Sequence, residues 1–129
     1  MQMQRHILIV EDAETTATTL EIALMSIPDV RVVRVGNGQR AIEYLSRSDG
    51  QPVHAVITDL EMPLLDGFEL IRRLREHRQF ELLPIVVVSG HDDPQTPERV
   101  IRLGANAFFA KPCSPLEVRQ KVEDLLKEK

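Results

Sequence analysis

Ala55-Val56-Ile57-Thr58-Asp59 is a short run, apolar but for Thr58, that stops on a carboxylate. A run this short and rich in β-branched residues, with no polar alternation, reads as a strand buried on both faces. Three other runs share the pattern. Ile7-Leu8-Ile9-Val10 stops on Glu11-Asp12, Ile85-Val86-Val87-Val88 on Ser89, and Ala107-Phe108-Phe109-Ala110 on Lys111-Pro112. As parallel strands, these runs would gather their polar ends at one edge of a sheet, which is where ligands bind in open α/β folds.

Val32-Val33-Arg34-Val35 completes a set of five strand candidates, and each is followed by residues at helical spacing. Strict alternation of β and α implies a parallel sheet covered on both faces. After the first strand, Ala17, Leu20, Leu24 and Met25 form an inner stripe that Pro28 stops. After the second, Asn37 caps a helix burying Ala41, Ile42 and Leu45, which ends before Ser48-Asp49-Gly50. A loop through Pro63 and Gly67 opens the third helix, with Leu70, Ile71 and Leu74 inward, and Asp66-Gly67 reads as a turn. Pro94 and Pro97 delay the fourth helix, which carries Val100, Ile101 and Leu103 and ends at Gly104. Ser114-Pro115-Leu116-Glu117 is a capping box with proline at the first helical position, and Val118, Val122, Leu125 and Leu126 follow as the inner stripe.

At 129 residues the chain is expected to be a single domain, residues 1–129, with no room for an output domain. Its apolar content of 43% is ordinary for a globular protein, and no stretch has the length of a membrane span. The N-terminus leads straight into a strand-like run, so no signal peptide is expected and the location is read as cytoplasmic. A net charge of −4 argues against a nucleic-acid surface, and Arg72-Arg73-Leu74-Arg75-Glu76-His77-Arg78 reads as the solvated face of a helix. Cys113 is the lone cysteine and reads as a small side chain beside a turn. His6, His54, His77 and His91 lack metal-ligand spacing and read as surface or strand-end residues. Gly36-Asn37-Gly38-Gln39-Arg40-Ala41 fits a dinucleotide fingerprint, but follows the second strand rather than the first, so nucleotide binding is not expected.

Glu11, Asp12 and Asp59, brought together at strand ends, would repel: two unit charges about 4 Å apart cost roughly 4 kcal/mol at an effective dielectric near 20. A cation relieves the repulsion, and an all-oxygen donor set favours Mg2+. Lys111 adds a fixed positive charge. The same group of residues suits an incoming phosphoryl group, with a carboxylate as the attacking nucleophile and Ser89 as a hydroxyl donor. Asp59, on the third and central strand, is the candidate nucleophile, while Glu11 and Asp12 are better placed to hold metal.

These residues resemble the receiver domain of two-component response regulators, chemotaxis regulators among them, along essentially the whole chain. The resemblance rests on Glu11-Asp12, on Asp59 followed by Met62-Pro63 and Asp66-Gly67, and on Ser89, Phe108 and Lys111-Pro112 in that order. It implies a flavodoxin-like (βα)5 doubly wound parallel sheet with strand order 2-1-3-4-5. It also implies that Asp59 accepts a phosphoryl group from a histidine kinase or a histidine phosphotransfer protein. Mg2+ would be held by Glu11, Asp12, Asp59 and the backbone carbonyl of Glu61, with Lys111 and Ser89 on the phosphoryl oxygens. Ser89 and Phe108 would form the switch that repacks the fourth helix, fifth strand and fifth helix for a downstream protein or an output domain on another segment, or for a phosphorylation-dependent homodimer. Glu61 and His91 lie where the family tunes the life of the acyl phosphate. Two positions depart from the usual pattern, with Glu11 in place of aspartate and Phe108 in place of the frequent tyrosine.

Two other functions compete. An aspartate-nucleophile phosphohydrolase would use similar chemistry, but Asp59-Leu60-Glu61-Met62 lacks the second aspartate of such enzymes and no insertion shapes a substrate pocket. A docking scaffold that is never phosphorylated would not need the complete acidic set with Lys111. The expectation is therefore a signalling acceptor rather than an enzyme.

Overall fold

A computed structural model of the protein describes residues 4–47 and 52–127. Five strands form a parallel sheet in the order β2-β1-β3-β4-β5, with β1 Arg5–Val10, β2 Val30–Val35, β3 Ala55–Thr58, β4 Ile85–Ser89 and β5 Ala107–Ala110. The helices are α1 Glu14–Met25, α2 Gly38–Leu45, α3 Gly67–Glu76, α4 Thr96–Leu103 and α5 Pro115–Lys127, with a short 3-10 turn at Arg78–Phe80 after α3. The flavodoxin-like order expected from the resemblance is the order observed.

Period-two alternation in the strands splits the core in two. Ile7, Ile9, Ile57, Val86 and Val88 pack under Leu20 and Leu24 of α1 and Val118 and Val122 of α5. Leu8, Val10, Val56 and Val87 face the other way, onto Ala41 and Leu45 of α2, Leu70, Ile71 and Leu74 of α3, and Val100 of α4. Every residue of β3 and β4 is buried, as both-face coverage demands, whereas the edge strands β2 and β5 remain half-exposed.

Several local expectations hold and several need correction. Asn37 caps α2 by accepting the Arg40 N–H at 2.9 Å, and Ser114 Oγ accepts the Glu117 N–H at 3.3 Å at the start of α5. Gly104 ends α4 at φ 120°, a conformation natural to glycine. Met25 and Ile101, expected in the core, are 60% and 49% exposed, because each sits about 100° round its helix from the true inner residues Leu24 and Val100. Ile27, past the end of α1, is buried in place of Met25. Pro97 does not delay α4; it sits in the first turn, where no intrahelical N–H is needed. Asp66 is more than a turn residue, since it caps α3 by accepting the Glu69 N–H at 2.9 Å. His6 lies near the start of β1, in keeping with a strand-end place, but is buried there, with its Nε2 2.7 Å from the Tyr44 hydroxyl. Ser48-Asp49-Gly50, expected to close the second helix, lie outside the described residues.

Arg75 also departs from expectation. Arg72 and Arg73 do lie on the exposed face and pair with Glu69 and Glu76. The Arg75 guanidinium instead turns inward and donates to the Gly104 carbonyl at 3.0 and 2.8 Å, the Phe80 carbonyl at 2.6 Å and Asn106 Oδ1 at 3.2 Å. Burial holds its pKa below the ordinary arginine value.

Candidate functional site

Parallel register carries the polar strand ends to one rim. Val10 is level with Thr58, so Glu11 and Asp59 leave neighbouring strands side by side, and the Asp59 N–H donates to the Val10 carbonyl at 3.0 Å. Ser89 pairs with Ala110, and the Lys111 N–H donates to the Ser89 carbonyl at 2.9 Å. Glu11, Asp59 and Ser89 are buried, at 6%, 7% and 0% exposure, while Asp12 is open to solvent and Lys111 is half-buried.

Carboxylate oxygens of Glu11, Asp12 and Asp59 lie within 4.8 Å of one another. Lys111 reaches into this group, its Nζ standing 2.9 Å from Glu11 Oε1 and 3.2 Å from Asp59 Oδ2. Burial pushes the Glu11 carboxyl above its ordinary pKa; Lys111 and the Ala13 N–H oppose that shift and the Asp59 charge adds to it. Burial alone would lower the Lys111 ammonium, but its bond to Glu11 and the charges of Asp59 and Glu11 outweigh it, so the net shift is upward.

Asp59 Oδ1 accepts the Leu60 N–H at 2.6 Å and the Glu61 N–H at 3.5 Å, which leaves Oδ2 as the oxygen turned to Lys111. The second Glu11 oxygen accepts the Ala13 N–H at 3.1 Å. Ser89 Oγ accepts the backbone N–H of His91 at 3.1 Å, and His91 Nδ1 lies 3.0 Å from Glu61 Oε2. These backbone donors were not legible as site residues, because every residue carries an N–H and only the fold aims it.

The loop after Asp59 is pinned at Gly67, whose N–H donates to the Leu60 carbonyl at 2.9 Å. A Cβ there would stand 2.1 Å from the Asp59 carbonyl oxygen, so no larger residue fits. Gly38 is needed for a similar reason: a Cβ would meet the Leu65 carbonyl oxygen at 2.4 Å, which ties this glycine of the fingerprint-like stretch to packing, whereas a Cβ at Gly36 would meet nothing within 4 Å. Phe108, the expected switch residue, is half-buried against the α3 and α4 side of the core.

The donor set fits a hard divalent cation. It is all oxygen, it concentrates negative charge, and exposed Asp12 leaves water access on one side. Chemically the rim can hold a small oxyanion close to such a cation and the Lys111 ammonium, beside the Asp59 Oδ2 that faces that ammonium.

The family model for the response regulator receiver domain matches residues 7–123. The two-component response regulator ORR3 of Oryza sativa subsp. indica is 35% identical over 113 residues, which is 88% of this chain and 84% of that protein. A CheY homolog, a chemotaxis protein of Campylobacter jejuni, is 27% identical over 93% of this chain and 91% of its own length. Among solved structures, the receiver domain of a signal transduction histidine kinase from Syntrophus aciditrophicus superposes with a TM-score of 0.84 at 31% identity, covering 95% of this chain and 89% of that one. The receiver domain of sensor histidine kinase PA1611 from Pseudomonas aeruginosa PAO1, with a magnesium ion coordinated in its active site cleft, gives 0.83 at 26% identity over 97% and 99%.

Proposed function

The chain belongs to the response regulator receiver domain family, and from that premise we propose that Asp59 is the residue that takes the phosphoryl group. The observation that carries this reading is the split environment of its carboxylate: Oδ1 is held by the Leu60 N–H while Oδ2 faces the Lys111 ammonium. Attack by Oδ2 on the phosphorus of a phosphohistidine breaks the P–N bond, and the departing imidazole takes up a proton. Lys111 and the Ser89 hydroxyl hold the phosphoryl oxygens. Glu11, Asp12, Asp59 and the Glu61 backbone carbonyl would hold Mg2+, which when bound supplies positive charge against those oxygens.

The donor is a histidine kinase or a histidine phosphotransfer protein. Loading turns Ser89 toward the phosphoryl group and Phe108 inward, which changes the surface offered to a downstream protein, an output domain on another segment or a second copy of the chain. The reading is of one receiver domain in the cytoplasm, a signalling acceptor without a turnover substrate of its own. The net charge of −4 supports a protein partner over nucleic acid, and no helix among the described residues is long and apolar enough to cross a membrane.

Intact mass after incubation with acetyl phosphate and Mg2+ tests the assignment. One phosphoryl adduct is expected on the wild type and none on Asp59→Asn. An adduct of equal yield on Asp59→Asn would place the acceptor elsewhere.

A further inference from the structure

Helix α4 has few attachments, with Thr96 and Val100 as its buried residues. Its C-terminal end is fixed by Arg75, which donates twice to the Gly104 carbonyl. Its first turns are held differently. The Arg99 guanidinium carbon lies 3.8 Å from the centre of the Phe68 ring, well inside cation–π range. The Phe68 ring in turn meets His91 edge-on, with centroids 5.8 Å apart. The His91 N–H donates to Ser89 Oγ and its ring contacts Glu61. An unbroken line of contacts therefore joins the hydroxyl proposed to meet the phosphoryl group to the face of α4.

We propose that Arg99, Phe68 and His91 form a latch on the first turns of α4, closed while the Ser89 hydroxyl accepts the His91 N–H, and that α4 pivots about its Arg75 clamp when the latch opens. A Ser89 hydroxyl turned away from the His91 N–H toward a phosphoryl oxygen gives up that bond and frees the β4–α4 loop to shift. The His91 ring moves with the loop, and the Phe68 ring loses its edge-on neighbour. Phe68 and Arg99 touch neither Asp59 nor the acidic group in any contact described above; they are positioning residues that set how readily α4 follows the phosphoryl group. The inference rests on the reading of Ser89 and Asp59 given above.

A contact made only in the unloaded arrangement opposes loading by its own strength. Removing an exposed cation–π contact is therefore expected to tighten the uptake of a phosphoryl stand-in by about two- to fivefold. The experiment titrates the full chain with beryllofluoride in the presence of Mg2+, followed by NMR, for the wild type, Phe68→Leu, Arg99→Gln and Arg99→Lys. Hydrogen exchange on the same unloaded proteins gives the second readout. Phe68→Leu and Arg99→Gln are expected to bind more tightly and to exchange faster at Arg99, whose N–H donates to the Gln95 carbonyl, with Gly104 and Ala105, bonded to the Val100 carbonyl, protected as in the wild type. Arg99→Lys, which keeps a cation over the ring, is expected to stay close to the wild type in both. A merely structural role would weaken binding or leave it alone, so a gain in affinity separates the two. Wild-type affinity in both latch variants, or exchange rising evenly along α4, overturns the latch. A wild type that takes up no beryllofluoride would remove the acceptor reading and the latch with it.

Discussion

Replacing Arg75 with methionine is expected to be one of the most destabilising single changes available on the surface of this protein. The guanidinium donates four hydrogen bonds, two to the Gly104 carbonyl, one to the Phe80 carbonyl and one to Asn106 Oδ1. Asn106 Oδ1 also accepts the Ile85 N–H at 2.8 Å at the start of β4, so the loss reaches the sheet. Hydrogen bonds to a charged group are worth about 1.5–3 kcal/mol each, but Arg75 is half-buried and the freed carbonyls regain some water. A net loss of about 2–4 kcal/mol is therefore expected, a sizeable part of the roughly 5–15 kcal/mol that holds a domain folded. Urea unfolding should show the midpoint lowered with the slope unchanged. Arg72→Met is the control. It removes exposed ion pairs to Glu69 and Glu76 on the same helix and is expected to cost under about 1 kcal/mol. Equal losses in the two variants, or a loss under about 0.5 kcal/mol in Arg75→Met, would refute the argument.

Leu64 sits at φ 72° with 84% of its surface exposed, a strained backbone with no packing to lose. Leu64→Gly is expected to raise stability by about 1 kcal/mol, the relief of strain exceeding the entropy cost of glycine, and a lower midpoint in urea would show the strain to be absent. Gly67→Ala forces a Cβ against the Asp59 and Leu60 backbone, and is expected to cost about 3 kcal/mol or more and to abolish the Asp59 adduct in the mass assay; a normal adduct would mean the loop can yield. His54 Nδ1 accepts the His6 N–H at 2.9 Å, so the folded protein keeps that nitrogen unprotonated, and burial together with Arg5 lowers its pKa. The unfolded chain then binds the proton more readily. Stability is full above the unfolded histidine value near 6.5 and falls as the pH drops below it, whereas His54→Asn is expected to flatten that slope in thermal melts at pH 7 and pH 5. Parallel pH profiles for the two proteins would contradict it.

Much of the architecture is legible in the chain because a strand covered on both faces must be apolar throughout, whatever it packs against. Ala55–Thr58 and Ile85–Ser89 are such strands, and their terminal Asp59 and Ser89 could be placed at one rim before any contact was known. Arg75 was not legible. It stands in a basic run that looks uniformly solvated, and only the meeting of α3 with the α4–β5 turn gives its guanidinium carbonyls to bind. Met25 and Ile101 flank the inner stripes of their helices, and a period of 3.6 leaves such flanking residues ambiguous between core and solvent. The pairing of Phe68 with Arg99 spans separate helices, and no spacing rule connects them.

Lys111 lies 100 residues from Glu11 and 52 from Asp59 along the chain, yet it touches both. The ribosome therefore delivers the acidic residues long before their counter-charge. Until β5 has emerged and docked, a growing chain carries the carboxylates at its rim with no lysine among them. The neutralised rim is a non-local contact of the slowest kind to form, and it comes into being only when β5 joins the sheet. Neutral balance at the rim thus waits on the docking of β5 beside β4, and a rim built without that strand would hold its carboxylates against their own repulsion.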